Sequence, residues 1–432
     1  MLESLPRRGF LAGAAGAAVL AGSQVLSAGP AAAAAPPGRS GKVVIGLQRL
    51  IDSGYAQLKG QKVGVLTNET GILSDQSHEV DVMHADDRVD LVAVFGPEHG
   101  FRGVAQAGGS QGFFNDPHTG LPVYDTYTKS GQALADTITA SGVDTVVFDI
   151  QDVGARFYTY IWSMYDAMVA SAMAGKRFVV LDRPNAISGR QALGPLMHSG
   201  YETFVGRKAI AQAYGMTAGE LARLFNDQWV AADAGSKVDL TVIDMTGWTR
   251  DMYFEDTGLP WVPPSPNMPT VDTAVVYPGT GMFEGTAASE GRGTCRPFEE
   301  ISAPYGDWHW RDALDALDLP GAVFRENYVN PTFNKFVGQN IGGVQLTVTD
   351  RYAFDPLRTA VAMLVTLKEV YGDQFAWRSD NYIDNLSGSD YIRTSVDAGQ
   401  NTDQIVAGWQ DELDGFRALR SKYLAYKDRG HK

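Results

Sequence analysis

Leu91-Val92-Ala93-Val94-Phe95-Gly96-Pro97-Glu98-His99-Gly100-Phe101-Arg102-Gly103 decides how the chain folds. Its first half is apolar and rich in β-branched residues, the composition of a strand buried on both faces. Gly96-Pro97 stops that strand, since neither residue continues a central one. A carboxylate, an imidazole and a guanidinium follow at once, spaced by glycines. In open α/β sheets, ligands bind beyond the carboxyl ends of the strands. Glu98, His99 and Arg102 therefore fall where such a fold places its chemistry.

The same pattern recurs along the chain. A strand over 62–67 ends in Asn68-Glu69-Thr70-Gly71, one over 145–150 in Gln151-Asp152-Val153-Gly154-Ala155-Arg156, and one over 178–181 in Asp182-Arg183-Pro184-Asn185. Helical patterns over 77–85, 132–140 and 157–174 separate them. Alternating strands and helices predict a parallel, doubly wound sheet. The loop 96–122 reads as long and structureless, which marks it as functional. No G-x-G-x-x-G follows the first strand and no phosphate-binding loop is present. The expected fold is Rossmann-like without a dinucleotide or other cofactor.

Residues 43–235 read as this Rossmann-like catalytic domain. Residues 236–432 read as a smaller α/β lobe, with the active site in the cleft between the two. The smaller lobe has expected helices over 307–317, 355–371 and 404–426, and a strand over 343–349. A proline-rich run over 259–269, which contains Asn267, reads as a rigid wall. A second glycine-rich region carries Glu284, Glu290 and Arg292.

Charge and leader set the setting. A net charge of -14 over 432 residues argues against nucleic acid or an anionic membrane as partner. Pro6-Arg7-Arg8-Gly9-Phe10-Leu11, an apolar run and the alanines 31–35 have the layout of a twin-arginine export signal over 1–35. An exported, extracytoplasmic protein without a stable membrane anchor is expected. The single cysteine, Cys295, excludes an internal disulfide and a cysteine-based zinc cluster, and reads as a small packed residue.

Strand ends on one edge of a parallel sheet converge. The cleft is therefore expected to gather Asn68, Glu98, His99, Arg102, Asp149, Gln151, Asp152, Arg156 and Tyr158 from the first domain, and Asn267, Glu284, Glu290 and Arg292 from the second. Tyr158, Tyr160 and Trp261 supply aromatic walls. Paired carboxylates suit glycoside hydrolysis, where a protonated acid serves the leaving oxygen and a second carboxylate acts as nucleophile or base. Arginines suit a substrate that itself carries a carboxylate. Competing readings are a non-catalytic, two-lobed sugar-binding protein and a metal-dependent hydrolase built on His99, Asp149, Asp152 and Asp182.

Phe95–Gly103, Asp149–Tyr160, Leu181–Asn185, Thr257–Pro269, Glu284-Gly-Thr and Ser289–Thr294 together resemble the exo-β-N-acetylmuramidase (NamZ-type) family. The resemblance runs from about Val43 to the C-terminus. It implies a peptidoglycan glycosidase that releases N-acetylmuramic acid from the non-reducing end of β-1,4-linked MurNAc-GlcNAc fragments, in cell-wall turnover or recycling. It places the proposed catalytic glutamate on Glu98. With Glu98 as general acid/base, the candidates for the second catalytic group are Asp149, Asp152, Glu284 and Glu290, Asp152 and Glu290 foremost, or the substrate's own 2-acetamido group. The lactyl carboxylate of muramic acid would explain the arginines. One departure is Tyr214, where the family pattern leads one to expect histidine.

Overall fold

The computed structural model describes residues 43–428, so the leader expected over 1–35 lies outside the described residues. The main sheet is built from β1 (Lys62–Thr67), β2 (Asp90–Gly96), β3 (Phe114–Asn115), β4 (Pro122–Asp125), β5 (Thr145–Asp149) and β6 (Arg177–Leu181). After a small antiparallel pair, β7 (Leu193–Leu196) and β8 (Ala211–Ala213), the chain returns to it as β9 (Asp239–Ile243). The seven strands lie in the order β3-β4-β2-β1-β5-β6-β9. Every pairing is parallel except that of β3 with β4. The chain leaves β1 toward β2 on one side and continues as β5 on the other. The strand order therefore reverses between β1 and β5, the crevice where open α/β folds bind ligands.

A second sheet follows, of β10 (Glu300–Ala303), β11 (Ala322–Val329) and β12 (Ile341–Val348), antiparallel in the order β10-β12-β11. Helix Trp308–Asp315 packs on this sheet, and behind it helices Val271–Thr280 and Pro356–Tyr371 pack on each other. They meet backbone to backbone at Gly279, where a β-carbon would stand 1.9 Å from the Pro356 carbonyl oxygen. One apolar core runs from Phe148 and Trp162 under the main sheet into Tyr277, Phe283 and Leu364 of the second lobe. The two lobes therefore share a core. Among the described residues, no helix is long and apolar enough to cross a membrane.

Several expectations are corrected. Val43-Val44-Ile45-Gly46, whose apolar run predicts a short strand, makes only an isolated bridge, Val44 to Thr246, before helix Gly46–Asp52. The loop after β2 carries β3 and β4, hidden by Pro122 and by their shortness. β9 pairs with β6, so the parallel sheet extends past residue 235. Helix Val271–Thr280 escaped a pattern reading because Pro278 lies inside it. The last expected helix is broken into Thr402–Ala407, Gln410–Arg420 and a short turn of 3-10 helix. Cys295 is exposed, not packed.

The carboxyl end of β5 shows what holds the sheet edge together. Asp149 is fully buried and accepts both Nε and Nη2 of Arg183, the latter at 2.7 Å. Arg183 also donates to the Ile72 carbonyl at 3.0 Å. A buried charge left alone is costly. Asp149→Asn is expected to lower the unfolding free energy by about 3–5 kcal/mol, read from the urea midpoint. A change within the error of the fit would show that Arg183 finds another counter-charge.

Candidate active site

A cavity of about 480 Å³ opens over the carboxyl edge of the main sheet. The first lobe lines it with Glu98 and His99 after β2, Tyr127 after β4, Phe157–Tyr160 after β5, and Thr203–Val205. The second lobe closes it with Tyr277, Glu284, Arg292, Phe298, Arg378 and Tyr382. The size and the aromatic lining suit a sugar ring, whose apolar faces pack on aromatic rings while its hydroxyls seek polar partners.

Glu98 is the carboxyl held most deliberately in this cavity. Gly108 N–H donates to its Oε1 at 2.8 Å, and Thr159 Oγ1 donates to Oε2 at 2.6 Å. Gly108 has φ +80°, a left-handed backbone suited to glycine. The loop that supplies it is pinned by His99, whose N–H donates to the Gly109 carbonyl at 2.9 Å. His99 is itself left-handed, with φ +69°, and buried. Its Nδ1 lies 2.8 Å from the Ala105 carbonyl oxygen. A carbonyl only accepts, so Nδ1 carries a hydrogen and donates it to Ala105. Helix Tyr160–Met173 begins just beyond Thr159, so its positive end faces the Glu98 carboxylate.

Around Glu98 stand phenols. Burial lifts those of Tyr127 and Tyr382 to about 12, and the negative charge of Glu98 adds to the shift in both. They remain hydrogen-bond donors at neutral pH. The Tyr158 hydroxyl is buried and without a partner on the cavity wall. Opposite, Glu284 accepts from Arg292 Nη2 at 2.8 Å. Burial lifts the Glu284 carboxyl, and Arg292 opposes that lift. Arg378 lies over the Tyr382 ring at 4.5 Å and pairs with the exposed Asp380 at 2.7 Å.

Of the residues expected in the cleft, Glu98, His99, Tyr158, Tyr160, Glu284 and Arg292 line it. The others serve the fold. Asn68 folds back on its own turn, its Oδ1 accepting from Thr70 N–H at 3.0 Å. Arg102 points away, over the Phe101 ring, to Asp81 and Asp116 at 3.3 and 3.1 Å. Asp149 is taken by Arg183. Gln151 Nε2 donates to the carbonyls of Asp152 and Pro184, both at 2.8 Å. Arg156 is fully buried and donates to the carbonyls of Pro195, Ile210 and Leu386, with no carboxylate partner. Burial lowers its guanidinium to about 9. Asn267 is buried beside the cavity without lining it. Glu290 is buried and locked by Lys335 at 2.8 Å, Arg292 at 3.3 Å and Asn334 at 2.8 Å, so it braces Arg292 and does not face the cavity. Trp261 packs edge-on to Phe254, not into the cleft.

Asp152 lies outside the cavity lining, buried, accepting from Tyr214 Oη and from Gly154 N–H at 2.7 Å. The unexpected Tyr214 is thus its direct partner. The four proposed metal ligands do not come together. Asp149 and Asp152 are committed as described, Asp182 accepts from Thr217 and Tyr426, and His99 is bound to Ala105. Asp81, Asp116 and His118 do approach one another, but Arg102 sits among the two carboxylates.

The sequence reading missed Thr159, Tyr127, Phe204, Tyr277, Phe298, Arg378 and Tyr382 as site residues. Glu69 was seen only as part of a polar cluster. It sits at the β1 end, against Gly103, where burial lifts its carboxyl to about 7.

A carboxyl-bearing, tyrosine-walled cleft between a parallel sheet and a second lobe defines a two-lobed α/β glycosidase. Residues 63–272 match the family model described as Exo-beta-N-acetylmuramidase NamZ, N-terminal, and residues 275–426 match its C-terminal counterpart. The chain belongs to this family. It is 43% identical over 386 residues to the Bacillus subtilis (strain 168) protein named Peptidoglycan beta-N-acetylmuramidase NamZ, covering 89% of this chain and 92% of that one. Two crystal structures of DUF1343 family proteins from Bacteroides fragilis NCTC 9343 share the fold. One has a TM-score of 0.83 at 33% identity, over 89% of this chain and 99% of the other. The second has a TM-score of 0.71 at 30% identity, over 90% and 99%.

The buried Asp152 carboxyl makes stability depend on pH. Burial, opposed by Tyr214 and the Gly154 N–H, lifts it from 3.8 to about 7. Between those values the folded chain keeps a proton that the unfolded chain has lost. Its contribution is fully present at low pH and disappears as pH rises through about 7. Asp152→Asn has no such proton to lose. Between about pH 5 and about pH 8 the parent is expected to lose a few kcal/mol more stability than this variant. Parallel pH slopes in urea titrations of the two would contradict this.

Proposed function

We propose that this chain releases N-acetylmuramic acid from the non-reducing end of peptidoglycan fragments by hydrolysing the β-1,4 bond to N-acetylglucosamine. Glu98 is the general acid/base. The observation that carries this is Glu98 itself, clamped at the β2 end inside a sugar-sized cleft. Family membership and the name of the Bacillus subtilis relative support the same reading.

The chemistry follows from the residues. The C1–O4 bond breaks with its electron pair going to O4, which takes the Glu98 proton. Water then gives its oxygen to C1 and a proton back to Glu98. Positive charge grows at the anomeric carbon in between, and the Glu284 carboxylate faces that charge from the opposite lobe. The tyrosine walls hold the ring and keep bulk water out. Arg292 and Arg378 are the cleft's arginines for the lactyl carboxylate. Arg292 already shares its charge with Glu284 and Glu290, whereas the partner of Arg378 is a surface aspartate that a ligand displaces readily. Export on the twin-arginine leader would bring the enzyme to the cell wall for turnover or recycling.

Glu98→Gln keeps the shape and removes the acidic proton. It is expected to cut release of free N-acetylmuramic acid from the disaccharide by at least about 100-fold, with unchanged melting behaviour. Activity within a few-fold of the parent would remove Glu98 from the mechanism, and a bound but uncleaved disaccharide in the parent would indicate a binding protein. Arg378→Ala is expected to raise KM for a nitrophenyl muramide about tenfold, while leaving that for the nitrophenyl glucosaminide, which lacks the lactyl group, nearly unchanged. Equal effects on the two would assign the lactyl group elsewhere.

A further inference from the structure

Threonine at the start of a helix ordinarily turns its hydroxyl back to a free backbone N–H. Two α-helices of this chain follow the rule: Thr217 accepts from Glu220 N–H and Thr270 from Thr273 N–H. Thr159 stands before helix Tyr160–Met173 with an already helical backbone, φ -80° and ψ -6°, where the other two are extended, and makes no such bond. Its hydroxyl goes instead to Glu98 Oε2 at 2.6 Å.

The two partners of Glu98 differ in kind. Gly108 offers a backbone N–H, which only donates, so Oε1 is an acceptor in every state. Thr159 offers a hydroxyl, which donates to the ionised carboxyl and accepts from the protonated one. The contact to Oε2 therefore survives the gain and loss of a proton, and the contact to Oε1 forbids one. We infer that Thr159 is a positioning residue that fixes the proton of Glu98 on Oε2, the oxygen that serves the leaving group. This rests on Glu98 being the acid/base. When C1–O4 breaks, the Oε2 proton passes to O4 and Thr159 turns to donate to the new carboxylate. When water attacks C1, its proton returns to Oε2 and Thr159 accepts again.

The test uses the full chain with Thr159→Val, which keeps shape and loses the hydroxyl, and Thr159→Ser, which keeps the hydroxyl. Each is assayed on MurNAc-GlcNAc and on 4-nitrophenyl β-N-acetylmuramide, whose nitrophenolate departs without needing a proton. For the valine variant, kcat/KM on the disaccharide is expected to fall about 10- to 100-fold, against about threefold or less on the nitrophenyl substrate. The serine variant is expected to stay within about threefold of the parent on both. Retained nitrophenyl cleavage also reports that the valine variant is folded. Equal losses on the two substrates, no loss on the disaccharide, or a serine variant as impaired as valine would overturn the assignment. A parent that cleaves neither substrate would overturn the reading of function on which it rests.

Discussion

Six strands running the same way oblige their carboxyl ends to share one edge. That constraint is what the site depends on. It brings the loop after β2 within reach of the helix after β5, although Glu98 and Thr159 are 61 residues apart. Neither element makes a site alone. The loop supplies an acid and a backbone donor, and the helix supplies a hydroxyl and the positive end of its dipole. The second lobe then adds aromatic surface and the Glu284–Arg292 pair from the facing side.

The same constraint explains which parts were legible in the sequence. Apolar runs that stop at Gly-Pro or at Asp-Ile-Gln-Asp mark buried parallel strands directly, so the main sheet and its functional edge could be read. The edge could not be divided residue by residue. Backbone groups in loops over a buried sheet also need partners, and polar side chains at strand ends are the nearest supply. Gln151, Asn68 and Arg156 are consumed in this way, while Asp149 and Glu290 are neutralised by Arg183 and Lys335, distant in sequence. A catalytic carboxylate and a structural one have the same letter and the same local context. What separates them is the number and kind of donors they meet, which only the fold brings together.

The second lobe was the harder part for a related reason. Its strands alternate less clearly, β10 is four residues long, and a proline sits inside helix Val271–Thr280. Its cleft residues include Tyr277, Phe298 and Tyr382, aromatics that a sequence reading assigns to core by default. Tyr277 and Phe298 do both, packing edge-on at 4.6 Å while lining the cavity. Thr159 carried a signal that was available but ambiguous, since a threonine before a helix announces an ordinary cap.

Arg156 has a bearing on how the enzyme handles its ligand. Its guanidinium spans carbonyls of the first lobe at Pro195 and Ile210 and one of the second lobe at Leu386, in full burial. Swinging the lobes apart would strand a cation among unsatisfied carbonyls, and it would also tear the shared core. The halves of this molecule are therefore riveted, not hinged. A cleft between lobes joined in this way has its walls in place before any ligand enters it.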